Sequence, residues 1–198
     1  FGCKCFIGRR DKRVPFEKHD VTSLLEEMEY FGMAEALVTH HSSITRPTEG
    51  NHRLLDEIGG HPNLHACWVL LPDCTGEMSE PGKLIEEMLE RGVRAVSFFP
   101  AFHEFDLDRF SCGKLLNLLN KHRVPAFIAS AGIRWKDVRE LADDYPDIPL
   151  ILSGFLANCN RHWYPLLERS ENILIDQSRY FLHRGIEEFC RTFSSRRL

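Results

Sequence analysis

The sequence predicts an α/β protein of the (β/α)8 barrel class. Two observations carry that reading. Short β-rich runs alternate with amphipathic helical segments along the whole chain. The strands also recur at intervals of about 25 to 33 residues, the length of a βα repeat. Seven such units with no second pattern favour a closed TIM-type barrel over an open doubly wound sheet, and predict a single domain over residues 1–198.

The first strand is Gly2 to Ile7, within "FGCKCFIG". After a polar loop, Asp20 can cap a helix whose Val21, Leu24, Leu25 and Met28 fall at i, i+3, i+4 and i+7, with Gly32 ending it. The second strand is Ala34 to Thr39, followed by a helix from Thr48 to Ile58 and a strand from Leu64 to Leu71. A helix from Glu80 to Arg91 with Gly92 after it precedes the strand Val93 to Phe99. The fourth repeat has a helix from Ser111 to His122 and the strand "VPAFIAS". "WKDVRELADDY" places Trp135, Val138, Leu141 and Ala142 on one helical face, Pro146 stops it, and "PLILS" is the next strand. "HWYPLLERS", "NILIDQS" and "GIEEFCRTF" complete the series as helix, strand and helix.

A closed barrel needs an eighth strand, which would begin where the sequence reaches "SSRRL". Without it the first and seventh strands would have unpaired edges, so the expectation is a sequence incomplete at its C-terminal side. The absence of an initiator methionine before Phe1, where the first strand is already under way, suggests processing or an incomplete record of the chain.

Composition narrows the function classes. With 43% hydrophobic and 27% charged residues, a net charge of −4 and a pI near 6.2, the chain has a soluble globular profile and no basic stripe for nucleic acid; its arginines are scattered along the sequence. No apolar run approaches the roughly 20 residues that span a bilayer, and no signal peptide is recognisable. Seven cysteines, most of them in apolar periodic segments, do not resemble a disulfide framework. The expectation is a cytoplasmic protein, with a small molecule as its partner and homo-oligomerisation open.

Barrel chemistry comes from the C-terminal ends of strands and the loops after them. Those positions here hold Cys3 and Cys5, His40 and His41, Asp73 and Cys74, His103, Ser130, Ser153, Asn158, Asp176, Arg179, His183 and Arg184. Cys3 and Cys5 share a strand face. Turned inward they can hold a soft metal such as zinc; the alternative is a pair of buried thiols in the barrel wall. Lys4 between them is a poor tenant for an apolar helix interface. Only one of His40 and His41 can face the barrel axis. Asp176, ending an apolar strand, needs a partner, and Arg179 and Arg184 are close in sequence. Asp176, His183 and His103 are the candidate acid and base groups. His40, Ser130, Asn158, Arg179 and Arg184 are candidate substrate contacts. Phe98, Phe99, Phe102, Phe105 and Phe110 read mostly as core, with some able to wall an apolar pocket. No G-x-G-x-x-G, P-loop, G-x-S-x-G or H-E-x-x-H pattern occurs.

The order of these motifs resembles the amidohydrolase-related superfamily of metal-dependent hydrolases and decarboxylases. "WKDVRELADDYPDIPLILSG" is similar to that family's helix and strand ahead of its sixth-strand histidine, "NILIDQS" to its seventh strand, and "EEFCRTFSSRRL" to the helix leading into the eighth. "GNHRLLDEIGGHPNLHACWVLLP", "RGVRAVSFFP" and "YFLHRGIEEF" are similar to an uncharacterised bacterial branch. The resemblance implies a barrel that attacks a small amide, ester or lactone with metal-activated water, or releases CO2. It also implies a divalent-metal site of an H-x-H pair, two further histidines and an aspartate. On this chain the pair falls at Cys3 and Cys5, the fifth-strand ligand at Ala129 or Ser130, and the sixth at Gly154. The eighth-strand position lies outside the sequence. The alternative is a metal-free descendant that binds a small molecule without turnover. A third reading is acid and base chemistry without a cofactor.

Overall fold

A computed structural model describes residues 1–10, 19–131, 133–154 and 159–198, with the side chain of Cys3 left outside the description. Strand and helix alternate throughout, and the strands follow chain order in the sheet, β1-β2-β3-β4-β5-β6-β7. The described chain divides into two compact units, Phe1–Leu71 with Thr75–Val96, and Pro72–Cys74 with Ser97–Leu198.

In the first unit β1 (Gly2–Ile7), β2 (Ala36–His40) and β3 (Leu64–Val69) pair in parallel. The helices are α1 (Val21–Tyr30), α2 (His41–Thr45), α3 (Pro47–Ile58) and α4 (Pro81–Glu90). Asp20 accepts from the Ser23 N–H, the cap that the sequence chemistry favours, and Glu80 accepts the N–H groups of Gly82 and Lys83. Pro81 sits at the first position of α4, where its missing N–H costs nothing. The second strand starts two residues later than expected and runs on to His40, and α2 follows it directly.

Register decides which side chains the helices cover. Cys5 lies opposite Val38, and Val38 opposite Ala66, so these residues share one sheet face. Val38 is fully buried and Ala66 nearly so. Two positions along on β3, Trp68 meets His52 of α3 edge to face, with ring centroids 5.7 Å apart. That face is therefore the helix-covered one. Lys4 and Phe6 lie on the opposite face.

α3 is fastened to β3 by one side chain. The buried Asn51 amide donates to the Val69 carbonyl at 2.8 Å and accepts the Val69 N–H at 3.0 Å. It thereby satisfies both backbone groups of the last β3 residue in a place water does not reach. Its neighbour Gly50 fixes a close crossing of α3 with α2, because a Cβ there would lie 2.3 Å from the Ser43 nitrogen.

β4 (Ala95–Phe98) runs from the first unit into the second. In the second unit β5 (Ala126–Ala129), β6 (Leu150–Ser153) and β7 (Ile173–Ile175) pair in parallel. The helices are α5 (Pro100–His103), α6 (Arg109–His122), α7 (Trp135–Asp144), α8 (Asn160–Arg169) and α9 (Gly185–Phe193). Asp108 caps α6 through the Ser111 N–H. Asn160 accepts from the Trp163 indole at 2.7 Å and donates to the Tyr180 hydroxyl at 3.1 Å, tying α8 to the segment after β7. Past α9, the Arg197 guanidinium donates to the carbonyls of Ile173 and Ser170 at the start of β7.

The Asn51 clasp gives a stability prediction. Asn51→Ala leaves a buried N–H and a buried C=O without partners, at about 3 kcal/mol in total. A urea titration should show a lower midpoint with an unchanged slope. A midpoint equal to wild type would show that the clasp contributes nothing net.

Candidate functional site

The in-register ladder of the second unit brings three strand ends together. Ala129 lies opposite Ser153, and Leu152 opposite Ile175, so Asp176 stands one position beyond that pair, beside Ser153. Its N–H donates to the Leu152 carbonyl at 2.9 Å. Ala126, Ile128, Leu150, Leu152, Ile173 and Ile175 form the buried face under the helices, none more than 2% exposed. Asp176, Ser153 and Ala129 alternate onto the opposite face, which in a barrel is the inner one.

Asp176 finds a partner, but not the arginine expected for it. Its Oδ1 accepts the Ser178 N–H at 2.9 Å and caps the 3₁₀ turn Gln177–Arg179. This bond needs the carboxylate as an acceptor and fixes its orientation at the strand end. Among the described residues the second oxygen makes no hydrogen bond. Arg179, His183 and Arg184 follow on the exposed segment leading into α9, with Arg184 in the left-handed conformation at φ 54°.

One strand over, Ser130 Oγ donates to the Gly154 carbonyl at 3.1 Å, and Ser130 N–H donates to the Ser153 carbonyl at 2.9 Å. Gly154 has φ +80°, and a Cβ on it would stand 3.2 Å from Ser130 Oγ. A glycine is thus required where the family resemblance would put a histidine. Asn158 lies outside the described residues.

His103, in α5 after β4, packs among aromatic rings. Phe102 meets it edge-on at 5.2 Å, Phe99 edge-on at 6.2 Å, and Phe105 lies nearly parallel at 6.4 Å. The "FFPAFHEF" segment thus folds into an aromatic cluster around an imidazole rather than into continuous core. Phe102 is 58% exposed and Phe110 97%, so the default assignment of these rings to the core fails for both.

In the first unit the two adjacent histidines part company. His41 stacks on Phe6, ring centroids 4.8 Å apart, and so lies on the Lys4 and Phe6 side of the sheet. His40 lies on the helix-covered side and is only 2% exposed. Its Nδ1 accepts the Ser42 N–H at 3.0 Å and contacts Ser42 Oγ at 2.6 Å, capping α2. A backbone N–H can only donate, so Nδ1 is unprotonated and the ring proton sits on Nε2. Nε2 points toward Glu57 on α3, 3.6 Å away, beyond hydrogen-bond range. Gly8, at φ +81°, closes over the ring: a Cβ there would lie 2.4 Å from it. His40, expected as a substrate contact, is an enclosed group that caps α2. Ser42 is signalled by its spacing two residues after His40; nothing local to the sequence announces Glu57.

These placements test the implied metal. Cys5 stands on the helix-covered face with Val38, and its thiol lies near Gly2 and Met33. Among the described residues no group of three or more His, Cys, Asp or Glu side chains is placed to hold a metal ion. The described residues do not fit the divalent site that the resemblance implies, and no chemical step is derived through it.

The Bordetella bronchiseptica crystal structure titled as an uncharacterised TIM-barrel protein is similar to this chain, with a TM-score of 0.66 at 15% identity, covering 90% of this chain and 68% of that one. The chain thus has the TIM-barrel fold. No protein-family model and no curated protein matches it.

Burial holds the His40 pKa below its ordinary value; Glu57 pulls it upward, and Arg53 adds a further downward push. A histidine with a depressed folded pKa binds fewer protons in the native state than in the unfolded one. Stability therefore falls as pH drops through about 6.5 toward that folded value. Protonation also puts a hydrogen on Nδ1 and removes the α2 cap. Chemical denaturation between about pH 7.5 and 5.5 should show a falling midpoint, and His40→Gln should flatten that slope. An equal slope in the variant would assign the pH dependence elsewhere.

Proposed function

We propose that the chain is a single barrel domain of amidohydrolase-related descent that binds a small molecule at the ends of β5, β6 and β7 without metal-dependent turnover. The observation that carries this reading is the donor set. Cys5 is turned to the helix-covered face, and Ser130 and Gly154, bonded to each other, stand where the family's histidines would be. What remains is a polar rim: Asp176 with one carboxylate oxygen fixed by the Ser178 N–H, and Ser130, with Arg179, His183 and Arg184 on the following segment.

Such a rim suits a ligand with a hydrogen-bond donor for Asp176 and an acidic group for an arginine. A small hydroxy or amino acid has this chemistry. His103 and its phenylalanines supply an aromatic surface after β4. No described helix is long and apolar enough to cross a membrane. We place the protein in the cytoplasm, where free thiols such as those of Cys67 and Cys112 persist, and nucleic acid is not among its partners.

Thermal-shift and calorimetric screening against small hydroxy and amino acids tests the reading on protein purified without chelator. Binding should survive EDTA and fall at least about tenfold in Asp176→Asn, which keeps the shape but halves the acceptor capacity. Stoichiometric zinc, lost on Cys5→Ser together with hydrolysis of a small amide, ester or lactone, would overturn the metal-free reading in favour of the hydrolase. Metal-free turnover abolished by His183→Ala or His103→Ala would instead assign acid and base catalysis to the same rim.

A further inference from the structure

Helix α7 carries opposite charge on its two flanks. On the α6 side a groove of about 340 Å³ is lined by Asp108, Asp137, Glu140 and Asp144, with Arg109 as its one cation. On the α8 side a groove of about 350 Å³ is lined by Lys136, Arg139, Arg161 and Arg169, with Asp143 as its one acid. Both follow from helical spacing: 137, 140, 141 and 144 fall on one flank, and 135, 136, 139 and 143 on the other.

Part of this charge is used internally. Asp137 pairs with Arg134 at 2.8 Å, Glu140 with Lys136 at 3.4 Å, and Asp108 caps α6. Among the described residues Arg139, Arg161 and Arg169 are in no ion pair, and neither is Asp144. Each groove also carries an aromatic group. Phe110, 97% exposed, lines the acidic one. Trp135 and His162, stacked at 5.0 Å and 6°, line the basic one.

We propose that this surface is a self-complementary interface between two copies of the chain. A two-fold axis parallel to α7 exchanges the flanks, so each acidic groove faces the other copy's basic groove and the contact is made twice. An axis perpendicular to α7 would set like charge on like, so the charge pattern selects the first arrangement. In that pairing Phe110 of each copy faces the partner's arginines and Trp135–His162 stack. An exposed phenylalanine there gains both burial and cation–π contact. The occupant is a second copy because the complementary partner for each groove lies on the other flank of the same helix.

Sedimentation velocity on the full chain tests this. Wild type should be dimeric at low salt and dissociate in about 1 M salt, where charges are screened within about 3 Å. Arg139→Glu with Arg161→Glu, and separately Glu140→Arg with Asp144→Arg, should each weaken association by on the order of 100-fold. Mixed in equal amounts, the two variants should form a heterodimer, because each altered groove then meets its complement. These surface positions leave the fold intact, which circular dichroism checks. A wild type that stays monomeric at every concentration, or variants as dimeric as wild type, would overturn the proposal. So would a mixture that fails to pair, which would point to an acidic peptide as the basic groove's occupant.

Discussion

The strand register is the constraint on which the rest depends. In a parallel sheet the side-chain period is two, so a one-residue slip moves every residue of a strand to the other face. In β5, β6 and β7 the pairing of Ile128 with Leu152 and of Leu152 with Ile175 commits these apolar residues to the helix side. Ser153 and Asp176 are thereby committed to the opposite side. In β1 and β2 the same rule sends Cys5 with Val38 under the helices and leaves Lys4 and Phe6 facing away. The candidate site is what remains at the strand ends after the apolar face has been satisfied.

That logic separates what the sequence discloses from what it conceals. The seven strands and the longer helices were legible because each carries its own period, and α1 also its cap, Asp20, which accepts the N–H group that its position foretells. Lys4 likewise signalled the face of its strand, since an ammonium group is a costly tenant under a helix. Two short helices, α2 and α5, were not legible. Both begin directly at a strand end, one capped by a histidine and the other started by Pro100, and neither spans enough residues to show a helical period. They decide where His40 and His103 point, so the orientation of those two side chains was the part of the site least visible in advance.

The charge pattern of the surface is hidden in the sequence for a different reason. Along the sequence the arginines are scattered, and no window holds a basic stripe. Arg139 and Arg161 are separated by a full helix-to-helix repeat, yet line one groove because successive helices of a β/α fold lie side by side. The acidic "ELADDYPD" stretch is subject to the same folding. Glu140 and Asp144 turn to one flank of α7 and Asp143 to the other. A solvated charge run in one dimension is a bipolar surface in three.

Asp176 carries a structural bond at a strand end and also belongs to the proposed binding site. A carboxylate at a strand end is flexible, and immobilising it on a ligand costs side-chain entropy. The bond from the Ser178 N–H to Oδ1 restricts the side chain during folding, before any ligand arrives. The remaining oxygen is held at the rim beside the Ser153 position, oriented by a turn that the chain forms anyway. His40 is the converse case: the same kind of cap, made by a side chain that the register has sent to the covered face, leaves its second nitrogen directed at Glu57 and away from the rim. Two capping groups at two strand ends meet different surroundings because alternation puts one on each side of the sheet.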